Sequence, residues 1–188
     1  MIRVVLADAN VLYSRVLRDY LLYAATVEAV EIRWSASILG EVIEHLAENI
    51  EGFDAAAGGR LVAAMNGAFP EAMVEPDNEA GEAVAHLRMP DEDDRHVLAA
   101  AVAVGADVLC TNNLKDFPLE VMREVGIQLL SADGLLSLLV AEHPGQVLAA
   151  HWLAVSRLPG ATDASTLQAL RRAGAVRLAE LIGSLVGE

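Results

Sequence analysis

Short apolar runs typical of β-strands alternate with helical segments along most of this chain, and this order limits the folds open to it. The runs cover residues 2–7, 31–34, 108–111 and 127–130, with Met73–Val74 as a shorter candidate. Parallel strands need a crossover connection, usually a helix, and crossover helices cover both faces of the sheet. The alternation therefore predicts an α/β fold with a central parallel sheet.

The helical segments carry apolar residues at helical spacing, and several have recognisable end signals. We predict helices over 11–25, 38–50, 55–69, 79–87, 97–104 and 132–142, and a polar loop over 112–118. Ser35 or Ser37 is the expected N-cap of the second helix, and Gly105 the stop of the fifth. Beyond His143 the strands cease, and short amphipathic helices follow at 144–157, 163–173 and 176–186. We predict an α/β domain over residues 1–142 and a helical C-terminal extension over 143–188.

Composition and charge narrow the setting and the partners. The 188 residues are 54% hydrophobic and 21% charged, which is typical of a compact globular protein. No apolar run approaches the roughly 20 residues that a membrane helix needs, so no membrane partner is expected. The single cysteine, Cys110, excludes an internal disulfide and predicts a cytoplasmic location. Because the formal net charge is −14, a nucleic acid would have to be held by local cations or a metal ion rather than by a general basic field.

Four consecutive acids, Asp91 to Asp94, lead directly into an alanine-rich helical segment. Acids favour a helix N-terminus, where free N–H groups and the positive end of the helix dipole lie. One cap residue and one or two acids in the first turn satisfy that need, so four exceed it. The surplus predicts a bound cation, with Asp91 and Asp93 as the members that cap the helix or face solvent.

Other polar side chains follow the ends of predicted strands. Asp8 ends the first strand, Asn113 and Asp116 follow the strand that ends at Thr111, and Glu41 lies one turn into the helix after the second strand. In an open parallel sheet, functional groups gather outside the carboxyl ends of the strands. Oxygen ligands of this kind suit Mg²⁺ or Mn²⁺, which support phosphoryl-transfer hydrolysis.

The segments that carry these groups resemble the acidic motifs of PIN domains and, more narrowly, of VapC-type toxins of toxin–antitoxin systems. The motifs read Asp8-Ala-Asn10, Ser-Ile-Leu-Gly-Glu41, Asp91-Glu-Asp-Asp94-Arg-His-Val-Leu-Ala-Ala-Ala and Thr111-Asn-Asn-Leu-Lys-Asp116-Phe. The resemblance covers about residues 1–142. It implies a three-layer α/β/α sandwich and a hydrolase, namely a Mg²⁺- or Mn²⁺-dependent endoribonuclease acting on RNA. It also implies a cognate antitoxin protein as partner and a tendency to form homodimers.

Matched position by position, the resemblance assigns roles to particular residues. The catalytic and metal-binding acids are Asp8, Glu41, Asp94 and Asp116. Asn10, Thr111, Asn113 and Asp91 are expected to support them. Apart from the resemblance, Arg95 and Lys115 adjoin the acids in the sequence and are the expected contacts to RNA phosphates. The chain departs from the family pattern Thr-x-Asp-x-Asp-Phe, because Asn113 stands at the first Asp and Asp116 arrives one residue late. Asn113 supplies a neutral oxygen but no charge, so the sequence does not determine how strongly this part of the site binds a metal ion.

Several alternatives stay open from the sequence. Asp8 after a strand is also a good helix cap, Asn10 either holds the Asp8 loop or touches substrate, and His96 fits a packed, hydrogen-bonded histidine better than a ligand. A haloacid-dehalogenase-like phosphatase also begins with a strand-end Asp, but it needs a second Asp where this chain has Asn10. The other alternative is a PIN-like interaction module with weak or no catalysis.

Overall fold

The computed structural model describes residues 3–187 and contains one central parallel sheet. Its strands are β1 Arg3–Ala7, β2 Val30–Ser35, β3 Met73–Val74, β4 Val108–Cys110 and β5 Gln128–Leu130. All neighbouring strands pair in parallel, in the order β3-β2-β1-β4-β5. Helices flank this sheet, so the predicted α/β/α sandwich with a C-terminal helical segment is confirmed.

The central strands are apolar because both of their faces are covered. Val5, Leu6 and Ala7 of β1 are fully buried, as is every residue of β4, and this is the pattern expected for a strand packed between two helical layers. In the register, Leu6 pairs with Arg33 of β2 and Ala7 pairs with Cys110 of β4. The carboxyl ends of β1, β2 and β4 therefore lie side by side at one edge of the sheet.

The helices over the first part of the chain follow the predicted positions closely, with two exceptions. They are α1 Ala9–Leu12, α2 Arg15–Thr26, α3 Ala36–Asn49, α4 Ala55–Ala68, α5 Asn78–Ala85, α6 Arg95–Ala103, α7 Leu119–Val125 and α8 Ala132–Glu142. The N-cap of α3 is Ser35, whose Oγ accepts a hydrogen bond from Ile38 N at 3.2 Å. Gly105 follows α6 with a φ of +56°, a conformation that glycine adopts without strain.

The prediction of one helix over 11–25 is wrong, because the chain breaks between α1 and α2. Ser14 has an extended backbone, and its hydroxyl accepts from Leu17 N, which starts α2 afresh. Tyr13 ends α1 and remains beside Asp8 as a result. A hydroxyl that caps a new helix competes with continuing the old one, and apolar periodicity does not register the interruption.

The predicted polar loop over 112–118 is partly wrong too. Leu114–Asp116 forms a single 3₁₀ turn, and α7 follows directly after Pro118. No apolar pattern predicted α7, which is short and buries Val121 and Met122. Tertiary packing of those side chains, rather than a repeated apolar pattern, stabilises a helix of this length.

The C-terminal helices are α9 Pro144–Arg157, α10 Asp163–Arg172 and α11 Val176–Val186, close to the predicted segments. Asp133 of α8 accepts hydrogen bonds from Arg177 N and Leu178 N at 3.2 and 2.8 Å, which satisfies the free N–H groups at the start of α11. Leu170 and Ile182 belong to the same hydrophobic cluster as β1. The C-terminal helices thus share a core with the sheet, and the boundary near 143 stays a prediction.

None of the helices within residues 3–187 is both long enough and apolar enough to cross a bilayer.

Candidate active site

Asp8 lies at the carboxyl end of β1, where the strand order reverses. The chain runs from β1 to β2 on one side and reaches β4 on the other, so the loops diverge at this point and leave a crevice. The backbone N–H of Asp8 donates to Cys110 O at 3.0 Å and ties the residue to β4. With 4% of its surface exposed, Asp8 is a buried acid.

Hydrogen bonds fix both carboxylate oxygens of Asp8. Oδ1 accepts from Ala9 N at 2.7 Å, so Asp8 caps α1. Oδ2 accepts from Thr111 Oγ1 at 2.7 Å and from Asn10 Nδ2 at 2.5 Å. Burial raises the pKa of Asp8, and the hydrogen bonds from Thr111 and Ala9 lower it in part. The side chain of Asp8 therefore caps α1 and is also held in one orientation by its neighbours.

Thr111 and Asn10 form a small polar frame beneath Asp8. The fully buried Thr111 hydroxyl also accepts from Asn10 Nδ2 at 2.8 Å and from Asn113 N at 3.0 Å. Asn10 Oδ1 in turn accepts from Asn112 N at 2.8 Å. The amide nitrogen and oxygen of Asn10 thus connect the loops after β1 and β4. This agrees with the alternative in which Asn10 holds the Asp8 loop.

Asp94 occupies the N-cap position of α6 without capping it. Its backbone is helical and its side chain makes no cap hydrogen bond, whereas Asp91 accepts from Asp93 N at 2.9 Å in the preceding turn. Oδ2 of Asp94 is buried and has no hydrogen-bond partner within the described residues. Burial, and after it the charges of the neighbouring acids, raise the pKa of Asp94 to about 6; these acids are Asp8, Asp116, Asp91 and Glu41. A cation beside Asp94 would relieve this unfavourable arrangement.

Glu41 on α3 lies against His96 on α6. Glu41 Oε1 is 2.5 Å from His96 Nε2, and this contact raises the pKa of the imidazole, with the charges of Asp8 and Asp94 acting in the same direction. His96 is thus a hydrogen-bonded histidine, as expected from the sequence. The contact engages one carboxylate oxygen of Glu41.

Asp116 reaches the same region through the 3₁₀ turn. Asn113, which stands where the family pattern has its first Asp, donates from Nδ2 to Asp116 Oδ2. This hydrogen bond holds the side chain of Asp116 in place. The charge of Asp116 is one of the causes that raise the pKa of Asp94, whereas the residues that line the cleft do not include Asp116.

The acids border a cleft of about 230 Å³, whose wall consists of Asp8, Ala9, Asn10, Tyr13, Glu41, His45 and Asp94. Two of these residues, Tyr13 and His45, were not among the predicted site residues. The spacing of His45, one helical turn after Glu41, is the signal that would have placed it on the same face of α3.

The acids suit a hard cation but are not drawn together into a finished ligand set. Within residues 3–187 no three His, Cys, Asp or Glu side chains converge closely enough to hold an ion. Glu41 and Asp116 have their oxygens bonded to His96 and Asn113, and a change of side-chain rotamer would release them. The unpartnered oxygen of Asp94 and the all-oxygen donor set fit Mg²⁺ or Mn²⁺.

The two cations expected to meet RNA phosphates differ in their surroundings. Arg95 donates to Glu92 through Nε at 2.9 Å and also donates to the Val84 carbonyl, so its guanidinium is engaged within the protein. Lys115 is exposed on the 3₁₀ turn next to Asp116. Lys115 is therefore the more available of the two.

Comparison with known proteins gives one family. A family model described as PIN domain matches residues 3–115, more than half of the chain. The matched range contains Asp8, Glu41, Asp94 and Thr111, and it ends one residue before Asp116. Searches of curated proteins and of solved structures gave no significant match.

Proposed function

Since this chain belongs to the PIN-domain family, we propose that it is a metal-dependent endoribonuclease that hydrolyses RNA phosphodiesters. The observation that carries the proposal is Asp94, whose buried oxygen has no partner among residues 3–187 and whose pKa is raised to about 6 among other carboxylates. Such a cluster destabilises a fold unless a cation or a proton joins it. Perturbed acids of this kind in a cleft are typical of functional sites.

Asp8, Asp94, Glu41 and Asp116 are the residues that would hold one or two Mg²⁺ or Mn²⁺ ions. A bound divalent ion supplies charge neutralisation at the phosphate and a more acidic water. Thr111 and Asn10 hold the Asp8 carboxylate in one orientation, so this ligand needs no rearrangement. Glu41 and Asp116 each have one carboxylate oxygen bonded, to His96 and to Asn113, and would bind an ion through the other oxygen or after a change of rotamer.

RNA binding by an acidic protein has to depend on local contacts. With a net charge of −14, the general field repels a polyanion. Lys115 is the exposed cation beside the acids and is our first candidate for a phosphate contact. Arg95 is the second, and it would exchange Glu92 for the phosphate.

We further propose that the protein is the toxin of a toxin–antitoxin pair in the cytoplasm, with a cognate antitoxin as partner and a homodimer as its assembly. The toxin role, the antitoxin and the homodimer are supported by the motif resemblance. The cytoplasmic location is supported by Cys110, which is free and buried. The C-terminal helices carry exposed large apolar side chains, among them Trp152 on α9 and Val176 and Leu185 on α11. Exposed apolar groups of this size are suited to a protein interface.

Cleavage of a single-stranded RNA in the presence of Mn²⁺ tests the proposal. We expect the wild type to cut internal phosphodiesters, and Asp8→Asn to lose at least about a hundredfold in rate because it loses a charged ligand. Glu44→Gln is the matched control, since Glu44 is an exposed acid on the helix that carries Glu41. Equal residual activity in the wild type and in Asp8→Asn would sink the nuclease proposal.

A catalytically weak PIN-like interaction module is the second candidate. It is favoured by Asn113, which lacks the charge of the family's acid, and by the contact that ties Glu41 to His96. RNA or protein binding without metal-dependent cleavage is the result expected from that candidate. The phosphatase alternative loses its ground, because the chain belongs to the PIN-domain family and Asn10 is a hydrogen-bond donor to Asp8.

A further inference from the structure

One wall of the acidic cleft is aromatic. Tyr13 and His45 line it together with Asp8, Glu41 and Asp94. Their rings meet edge to face, with 4.1 Å between the ring centroids and 86° between the ring planes. The contact joins the end of α1 to α3 at the mouth of the candidate active site.

The chain places both rings at a fixed distance from the acids. Tyr13 ends α1, which Asp8 begins, and its N–H donates to Ala9 O at 2.7 Å. His45 lies four residues after Glu41 on α3, so the two side chains share a face of that helix. Short, capped elements therefore set the position of the pair relative to the carboxylates.

The core does not need His45. It is exposed, whereas Tyr13 is partly buried and packs against the core. Within residues 3–187 the hydrogen bond that reaches His45 goes to its carbonyl oxygen, from Asn49 Nδ2 at 2.8 Å, and leaves the ring nitrogens out. In an edge-to-face pair one ring keeps both of its faces free of the other ring. Because His45 is exposed, an aromatic ring that the core does not cover lies in the wall of the cleft with the acids.

The net negative charge of the protein indicates how an aromatic ring in the cleft would contribute to RNA binding. Sequence-tolerant binding of single-stranded nucleic acid combines a basic groove with aromatic side chains on which bases stack. Here the net charge is −14 and the cleft is lined by carboxylates, so the basic part is nearly absent. Stacking is the contribution that remains. Only an unpaired base offers a free face to such a wall.

We propose that Tyr13 and His45 form a stacking platform for one nucleobase of single-stranded RNA, next to the phosphate at the acidic site. The proposal rests on the proposed ribonuclease function and names its substrate as an unpaired segment. The two rings are substrate-positioning residues and take no part in bond cleavage. Their loss should weaken RNA binding and leave the rate at saturation nearly unchanged.

The test uses the full chain, Mn²⁺, and a single-stranded RNA whose cleavage position is mapped with the wild type. His45→Ala and Tyr13→Leu should each raise the RNA concentration at half-maximal rate about tenfold, since base stacking contributes on that scale. His45→Phe keeps an aromatic face and should restore most of the affinity. The matched control is His86→Ala, which removes an exposed histidine that does not line the cleft.

Single abasic sites placed along the RNA distinguish stacking from a merely structural role. At one position the missing base should weaken wild-type binding about tenfold, and the same abasic site should cost His45→Ala little, because the partner ring is already gone. An abasic penalty equal in wild type and His45→Ala at every position would overturn the proposal. An unchanged half-maximal concentration in His45→Ala would overturn it too. Thermal melts of each variant identify any general loss of folding.

A binding arm separates this proposal from the nuclease function. Fluorescence anisotropy with labelled RNA, in Ca²⁺ instead of Mn²⁺, measures affinity without requiring cleavage. If the wild type does not cut RNA but binds it about tenfold more tightly than His45→Ala, the platform stands and the nuclease proposal fails. Equal affinities of wild type and His45→Ala, no RNA binding by the wild type, or equal binding of fully paired RNA would each overturn the platform.

Discussion

Thr111, directly after β4, donates a hydrogen bond of 2.7 Å to Asp8, directly after β1, and both residues are buried. The two residues are joined across the point where the strand order reverses. This bond orients the most buried acid of the cleft, and it partly offsets the rise in the pKa of Asp8 that burial causes. The orientation of a proposed metal ligand and a connection between two strands depend on the same hydroxyl.

Thr111→Val removes this hydroxyl and keeps the shape of the side chain. We expect a loss of about 10- to 100-fold in metal affinity or in RNA cleavage, the usual effect of losing a partner that orients a ligand. We also expect the free energy of unfolding to fall by about 1–3 kcal/mol, because buried hydrogen-bonding groups of Asp8 and Asn10 lose their partner. Mn²⁺ titration and urea unfolding measure the two effects. Thr111→Ser is the control and should retain most of both, and a fully active Thr111→Val would contradict the role of the bond.

Divalent ions should stabilise the fold against heat. Because the ion binds the folded cleft and relieves repulsion among the acids, Mn²⁺ at 100 times its Kd should add about 2.7 kcal/mol to the free energy of unfolding. A thermal melt across a Mn²⁺ titration shows this as a rising Tm. Glu41→Gln should reduce the rise, whereas Glu44→Gln, three residues further along α3, should not. A Tm that does not respond to Mn²⁺ would count against the metal site.

Asp94 should make metal-free stability depend on pH. Burial, followed by the charges of Asp8, Asp116, Asp91 and Glu41, raises the pKa of Asp94 from 3.8 to about 6 in the fold. A carboxyl whose pKa is raised by folding contributes stability that is fully present below its unfolded pKa and lost as pH rises through the folded pKa. The contribution of Asp94 is therefore lost between about pH 4 and pH 6.

Asp94→Asn tests this in a chelator. The variant should be more stable than the wild type at pH 7.5, by about 1 kcal/mol once screening of a partly exposed group is allowed for, and the gap should close near pH 4. Urea unfolding at the two pH values measures the difference. A gap of the same size at both values would show that ionisation of Asp94 is not its cause.

The buried His151 should be essential for docking the C-terminal helices. Its Nδ1 lies 2.6 Å from Tyr20 Oη on α2, and its Nε2 lies 2.9 Å from Asp163 Oδ1 on α10. Tyr20→Phe leaves a buried ring nitrogen without a partner and should cost about 1–3 kcal/mol in urea unfolding. Tyr23→Phe is the matched control on the same helix, with an expected change within about 0.5 kcal/mol. Equal free energies of unfolding for Tyr20→Phe and Tyr23→Phe would contradict a stabilising role of the contact between Tyr20 and His151.

Lys115 should contribute more to RNA binding than Arg95. Lys115→Ala removes an exposed cation beside the acids and should lower RNA affinity by a similar factor for all sequences, with a salt dependence shallower by about one unit of slope. Arg95→Ala removes a guanidinium that already binds Glu92 and the Val84 carbonyl, so its effect should appear mainly in stability. Anisotropy at several salt concentrations separates the two, and an unchanged slope in Lys115→Ala would exclude a phosphate contact there.

Local patterns predicted most of the elements and failed where one side chain decides between two backbone paths. The helix expected over 11–25 is divided because Ser14 caps a new helix, and this break leaves Tyr13 beside the acids. The polar loop predicted over 112–118 contains a 3₁₀ turn at Leu114–Asp116, in which Asn113 Nδ2 donates to Asp116 Oδ2. Both features involve hydrogen bonds of individual polar side chains, and such bonds leave no periodic pattern in a sequence.

The sequence by itself determined the parallel sheet between helical layers, because alternating apolar runs and amphipathic segments can bury their surfaces in few other ways. It also determined that acids stand where strands end. Only the tertiary structure decided that Asp94, of the four acids in its cluster, is the one whose buried oxygen lacks a partner in the described part of the chain. It alone brought His45 against Tyr13 and His96 against Glu41. These relationships join residues far apart in the chain, and packing of whole elements, rather than local preference, sets the distances between them.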